Sequence, residues 1–97
     1  MPVVDDGAFR LRESNTIVRY LAGKHGRADL YPTELQARAT TEAWMDWAAT
    51  DFANGMRPVF QGLVVKNPAY ASMVDGGSKD WTAQMRVLEQ HLAAAGP

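Results

Sequence analysis

This sequence predicts a mainly α-helical protein with one β-hairpin near its amino end. Three observations carry that expectation. Apolar residues recur at three- and four-residue spacing through 14–21, 33–65 and 78–95, the period of an amphipathic helix. Val3-Val4, then Asp5-Asp6-Gly7, then 8–11 with Phe9 and Leu11 on one face, read as strand, turn and strand. Apolar residues make up 46% of the chain against 22% charged, a balance that favours folding over disorder.

The elements follow in order. The hairpin over 2–11 is marginal alone and presents an open edge. A helix is expected from Ser14, whose hydroxyl can accept a hydrogen bond from a free N–H of the first turn as an N-cap. Ile17, Val18 and Leu21 form its apolar face. Gly23-Lys24-His25-Gly26 should end it, with flexible C-cap residues and a cation in the last turn. His25 has no second histidine or carboxylate at ligand spacing, so it reads as a solvated turn residue and not a metal ligand.

Residues 27–32 read as a linker. Thr33-Glu34-Leu35-Gln36 then has capping-box spacing, with Thr33 as the cap and Gln36 reaching back. A long helical pattern continues to about Val65. Trp44, Trp47, Ala48, Phe52, Met56, Val59, Phe60 and Leu63 share one broad stripe. Glu34, Arg38 and Glu42 lie four apart on the opposite face, where ion pairs add only a few tenths of a kcal/mol each. Pro58 removes the hydrogen bond to Asn54 and should kink or break the helix, and Gly55 and Gly62 weaken the same region. Residues 66–77 form a polar connection. Ser78 should cap a last helix reaching about Ala95, with Trp81, Met85, Leu88 and Leu92 as its seam.

Composition narrows the function. A net charge of −1 gives no strong pull toward nucleic acid or an acidic membrane surface. Without cysteine there is no disulfide and no thiolate nucleophile, which fits a reducing compartment. The first six residues lack the basic and apolar regions of a secretory signal. No stretch approaches the roughly 20 apolar residues of a membrane span. A cytoplasmic protein is expected, with no nucleic-acid or membrane partner. Asp46 and Asp51 read as helix-surface or capping carboxylates, since spacing defines no partner acid.

The start of the first helix carries the chemistry. Its first-turn amides point outward with the positive end of the helix dipole, so backbone N–H groups and the Ser14 hydroxyl can together hold a carboxylate or phosphate. Glu13, just before, repels anions and suits an ammonium group. A carboxylate and an ammonium held side by side describe one end of an amino acid.

Glu13-Ser14-Asn15-Thr16-Ile17-Val18-Arg19-Tyr20-Leu21 resembles the segment of glutathione transferases that grips the γ-glutamyl end of glutathione. The likeness extends upstream through Pro2-Val3-Val4-Asp5-Asp6-Gly7. Downstream it runs through Leu30-Tyr31-Pro32, Arg38-Ala39, Trp44-Met45-Asp46-Trp47 and Arg57-Pro58-Val59-Phe60, in the family's order. The Trp-Met-Asp-Trp piece is similar to bacterial members in particular.

The resemblance implies the central portion of such a protein. Its fold would be part of a thioredoxin-like glutathione-binding half, then two or three helices of an all-α domain. Residues 1–27 would be the thioredoxin-like remnant, 28–32 the linker and 33–97 a partial all-α domain. In the family a proline at the Pro2 position is held cis and the residue before it pairs with the cysteinyl backbone. This implies glutathione contacts at Pro2, with Met1 or Val3, beside those at Glu13 and Ser14. Trp44, Trp47, Phe52 and Phe60 read either as core between helices or as the lining of a pocket for an apolar co-substrate.

The family's catalytic Tyr, Ser or Cys lies in a loop upstream of the Pro2 position, so no catalytic residue and no metal ligand is assigned here. The expected function is that of a glutathione transferase-like protein, with glutathione as co-substrate. In intact relatives a glutathione thiolate attacks an electrophile. The other reading is a truncated, non-catalytic remnant acting as an oligomerising or interaction module. Either way an open sheet edge and an uncovered helix face favour a homo-oligomer, a dimer first.

Overall fold

Gly7 and Ala8 turn the chain between two short strands, with Gly7 at φ 61, the left-handed backbone that a two-residue hairpin turn uses and glycine tolerates. The computed structural model describes residues 2–95. Strands β1 (Val3–Asp6) and β2 (Phe9–Arg12) pair antiparallel, with Val3 opposite Arg12, Val4 opposite Leu11, Asp5 opposite Arg10 and Asp6 opposite Phe9. Asp5 and Asp6 are thus strand residues, although their composition suggests turn. A two-residue loop leaves no room for them in the bend. Packing separates into two compact units, residues 1–45 and 46–97.

In the first unit, side chains alternate across the hairpin as strand geometry requires. Val4, Asp6 and Leu11 are half-buried, while Val3, Asp5, Arg10 and Arg12 are exposed. The inner face meets helix α1 (Ser14–Lys24). Phe9 packs on Tyr20 with ring centroids 5.4 Å apart. The Tyr20 hydroxyl donates to Asp6 Oδ2 at 2.5 Å, and Lys24 Nζ reaches the same oxygen at 2.5 Å. This clasp ties the hairpin to the last turns of α1.

The clasp has a pH signature. Lys24 first, and then Tyr20, hold the Asp6 carboxyl below its ordinary 3.8. Asp6 in turn holds Tyr20 above 10.0 and Lys24 above 10.5. A depressed acid contributes stability above its unfolded value and loses it as pH falls toward the folded one. The two raised groups contribute below their unfolded values and lose it as pH rises through the folded ones. The melting-temperature gap between wild type and Asp6→Asn should therefore be widest from about pH 5 to 9, and narrower near pH 3 and pH 11. A gap that is flat across this range would mean the clasp contributes nothing.

Helix α1 ends as its glycines predict. Gly26, at φ 65, follows the C-cap His25. Gly26 N–H donates to Gly23 O at 3.2 Å and Arg27 N–H to Ala22 O at 2.9 Å, the paired bonds of a Schellman motif. Ile17 and Ala22, 7% and 8% exposed, are the buried apolar residues of α1.

Helix α2 (Leu35–Trp47) is capped by Glu34, not Thr33. Glu34 lies directly before the first helical residue. Its carboxylate accepts from the N–H groups of Gln36 at 3.0 Å and Ala37 at 2.8 Å, and these bonds lower its pKa. Arg38 and Glu42 are half-buried and do not form the solvent-facing row that their spacing suggested. Arg38 donates to Pro32 O at 3.0 Å and lies over the Tyr31 ring. Glu42 accepts from Arg19 at 3.3 Å and from the Tyr31 hydroxyl at 3.2 Å. Helical spacing shows which residues share a face, and only the tertiary fold shows what that face meets.

In the second unit the backbone stays helical past α2. It runs through a π-helical turn (Ala48–Phe52), α3 (Ala53–Val59) and a second π-helical turn (Phe60–Val64). Pro58 sits inside α3 without ending it, and Phe60 keeps helical dihedrals of φ −61, ψ −48. After the proline the ladder widens to i→i−5 bonds, as in Val65 N–H to Phe60 O at 3.0 Å, which keeps the chain helical.

A short 3₁₀ helix (Pro68–Met73) follows, capped by the Asn67 side chain accepting from Ala69 N–H at 3.1 Å. Helix α4 (Val74–Ala95) therefore begins earlier than a Ser78 cap implies. Its covered stripe is Val74, Gly77, Ser78, Trp81, Gln84 and Leu88, while Met85 and Leu92 of the expected seam stay exposed. The stripe is set by where α3 crosses. Gly55 and Gly77 are both buried there, and a Cβ on Gly77 would lie 3.0 Å from Gly55 O.

Candidate functional site

The joint between β2 and α1 departs most from ordinary backbone. Glu13 has φ 74, ψ 111, outside the regions a residue with a Cβ normally occupies. It occupies the N-cap position, and its carbonyl accepts the first helical bond, from Ile17 N–H at 2.9 Å. Ser14 is consequently the first residue inside α1 and not its cap. The sharp turn at Glu13 starts the helix one residue before the serine that composition favours as the cap. Glu13 makes no side-chain capping hydrogen bond, which leaves the first-turn amides without that partner.

Both Glu13 and Ser14 are exposed. The neighbouring polar side chains are engaged elsewhere in the unit. Asn15 donates to Met45 O at 3.2 Å, and Thr16 Oγ1 accepts from Arg19 at 3.4 Å. Among the described residues Ser14 has no such contact. The arrangement sets a hydroxyl, a carboxylate and first-turn amides with no side-chain cap side by side at an exposed helix start.

Glu13 lines a depression with Val3, Arg10, Leu11, Arg12 and Thr16, and Ser14 is not among its walls. It brings together Val3 and Glu13, two of the residues singled out from the sequence, and adds two arginines that were not. Strand alternation could have found them: register places Arg12 opposite Val3 and Arg10 opposite Asp5, so all four share the outer face. Arg10 is held by Asp5 through two bonds of 2.7 and 3.1 Å, which lower the aspartate pKa. Pro2 is exposed at the edge of β1. Met1 and the bond joining it to Pro2 lie outside the described residues, and with them the expected cis geometry.

A second, mainly apolar depression of about 390 Å³ lies in the same unit, with Val18, Leu21, Leu30 and Met45 among its walls. Val18 and Leu30 are each 59% exposed.

The aromatic candidates fall in different units. Trp44 belongs to the first. Trp47 and Phe52 belong to the second, where their ring centroids are 5.2 Å apart and Phe52 meets Trp81 edge-on at 6.2 Å. Trp47 Nε1 donates to Gln84 Oε1 at 2.7 Å. Among the described residues no group of three histidine, cysteine or acidic side chains is placed to hold a metal, and no helix is long and apolar enough to cross a membrane.

No protein-family model matches the chain. It is 36% identical over 91 residues to glutathione S-transferase GstB of Escherichia coli (strain K12), a match taking in 92% of this chain and 44% of that protein. It is 36% identical over 110 residues to Homo sapiens glutathione S-transferase theta-1, covering 100% of this chain and 45% of that protein. Rattus norvegicus glutathione S-transferase theta-2 is 46% identical over 50 residues, 50% of this chain and 20% of that protein. The chain thus spans less than half the length of these curated relatives.

Proposed function

Because this chain belongs to the glutathione S-transferase family, we propose that it binds glutathione, gripping the γ-glutamyl end at the start of α1. The observation that carries the reading is the Glu13 backbone. A residue with a Cβ held at φ 74, ψ 111 costs of order 1–3 kcal/mol, and such strain clusters at ligand sites. Here it sets the exposed Ser14 and the uncapped start of α1 beside the exposed Glu13 carboxylate. In this reading Ser14 and the first-turn N–H groups take the glutamyl carboxylate. Glu13 takes the ammonium, and Pro2 and Val3 align the cysteinyl backbone along the open edge of β1.

The relatives are named as S-transferases, and conjugation of glutathione to an electrophile is the reaction proposed for the whole protein. The residues here would hold the glutamyl end and the cysteinyl backbone of the tripeptide. None is assigned to deprotonating its sulfur. The same proposal takes 1–27 as the end of a thioredoxin-like half, 28–32 as linker and 33–97 as the start of an all-α half. Trp44, Trp47 and Phe52 are its candidates for an apolar co-substrate face. It places the protein in the cytoplasm.

Isothermal titration calorimetry tests the binding step. Wild type should release heat on titration with glutathione, and Ser14→Ala should bind about tenfold more weakly, the cost of one hydrogen bond to a charged group. No heat at millimolar glutathione would end the proposal. A homodimer belongs to the same reading, with exposed Val18, Leu21 and Leu30 as side chains such a contact would cover. Light scattering that reports a monomer at high protein concentration would overturn that part alone.

A further inference from the structure

A residue with a Cβ keeps a left-handed backbone only where its surroundings hold it there. Glu13 is held from two sides. On the strand side, the Asp6 clasp to Tyr20 and Lys24 fixes the hairpin against the last turns of α1. On the helix side, Asn15 lies in the first turn of α1, just past Ser14. Asn15 is half-buried, and its Nδ2 donates to Met45 O of α2 at 3.2 Å, across 30 residues of chain. One turn further along α1, Arg19 meets Glu42 of α2 at 3.3 Å. The Arg19 pair ties the middle of α1 to α2, and the Asn15 bond ties its first turn.

Resting on the glutathione reading above, we propose that Asn15 is a positioning residue. Its bond to Met45 O pins the first turn of α1 and so keeps the Glu13 backbone bent for the ligand. Asn15 itself touches no part of glutathione in this assignment. Without the bond, the first turn is free to roll until Glu13 reaches the backbone that a Cβ prefers. The Glu13 carbonyl then leaves its partner, the Ile17 N–H that now lies 2.9 Å away. Glutathione must drive the turn back, and affinity falls with the share of molecules still in the bent form. Glycine at position 13 removes the reason to relax, because it adopts φ 74 freely. Asn15 and the Glu13 backbone are therefore coupled.

A double-mutant cycle on the full chain tests this, with Asn15→Ala made in wild type and in Glu13→Gly. Calorimetry with glutathione gives one readout, and amide hydrogen exchange at Ile17, followed by NMR, gives the other. In wild type, Asn15→Ala should weaken glutathione binding about fivefold and speed Ile17 exchange by a similar factor, within what one neutral hydrogen bond supplies. In Glu13→Gly the same substitution should change either readout less than about twofold, because no strain remains to be released. Glu42→Gln, which removes the Arg19 ion pair between the same helices, should leave both readouts at wild-type values. Equal losses from Asn15→Ala in the two backgrounds would make Asn15 a general stabilising residue and overturn the assignment. So would unchanged Ile17 exchange in Asn15→Ala, a Glu42→Gln protein that behaves as Asn15→Ala does, or an Asn15→Ala protein whose far-UV circular dichroism shows it unfolded. The exchange measurement needs no ligand. If wild type binds no glutathione, the glutathione reading falls, and the exchange cycle still decides whether Asn15 holds the Glu13 turn.

Discussion

Gly55→Ala should destabilise the 46–97 unit by about 2 kcal/mol, within the usual cost of overpacking a tight contact. A methyl group on Gly55 would lie 2.8 Å from Trp81 N, 3.1 Å from Trp81 Cα and 3.2 Å from Asp80 C. These are backbone atoms of α4, so no side-chain rotation relieves the clash and the two helices must separate. Separation also loosens the contact between Phe52 and Trp81. Gly76→Ala supplies the control. Gly76 is also helical, but nothing lies within 4 Å of its Cβ position, so alanine there should stabilise by about 0.5–1 kcal/mol through helix propensity alone. Urea denaturation followed by tryptophan fluorescence reads both. Equal, stabilising effects at the two sites would show that α3 and α4 do not cross this closely.

Glu13→Gly should move stability and binding in opposite directions. Glycine adopts φ 74 without the Cβ penalty, so the change should stabilise by about 1 kcal/mol, after some loss from a more flexible unfolded chain. It also deletes the carboxylate assigned to the ammonium group, so glutathione affinity should fall about tenfold. Glu13→Gln keeps the strained backbone and loses the charge. It should weaken binding similarly with little change in melting temperature. Thermal melts with parallel titrations separate the effects. A Glu13→Gly protein that binds as wild type does would release Glu13 from the site. A less stable one would show that its backbone carries no strain.

The candidate site was partly legible before any coordinates. Glu13 and Ser14 stand out because an acid followed by a hydroxyl at a helix start has a chemical meaning. The helix boundary did not come with it. Serine is the better cap by composition, yet the left-handed turn at Glu13 places the cap one residue earlier. Cap position is decided by where the chain leaves β2, and residue preference alone carries no information about that. Glu34 repeats the lesson. Thr33 and Gln36 have the spacing of a capping box, but Glu34 sits next to the first turn and its longer side chain reaches two amides.

The unequal settings of the two arginines on β2 were hidden for another reason. Arg10 and Arg12 look alike in sequence, and the difference between them is a neighbour on the other strand. Only register shows that Asp5 faces one and Val3 the other.

By itself the sequence determined the kinds of element and their order. Periodicities of two and about 3.6 residues are local properties, and glycines at 7 and 26 mark backbone that other residues avoid. It also determined the family, through residues spread along most of the chain. Tertiary structure alone decided what each face meets. Gly55, which reads as a weak point in a helix, and Gly77, which reads as part of a polar connection, are where α3 and α4 approach closely. Arg38 and Glu42, which read as solvent-facing, bind Tyr31 and its neighbours. The physical reason is that helical and strand spacing is set by bonds within a segment. Contact is set by volume, charge and register between segments, which no single stretch of residues encodes.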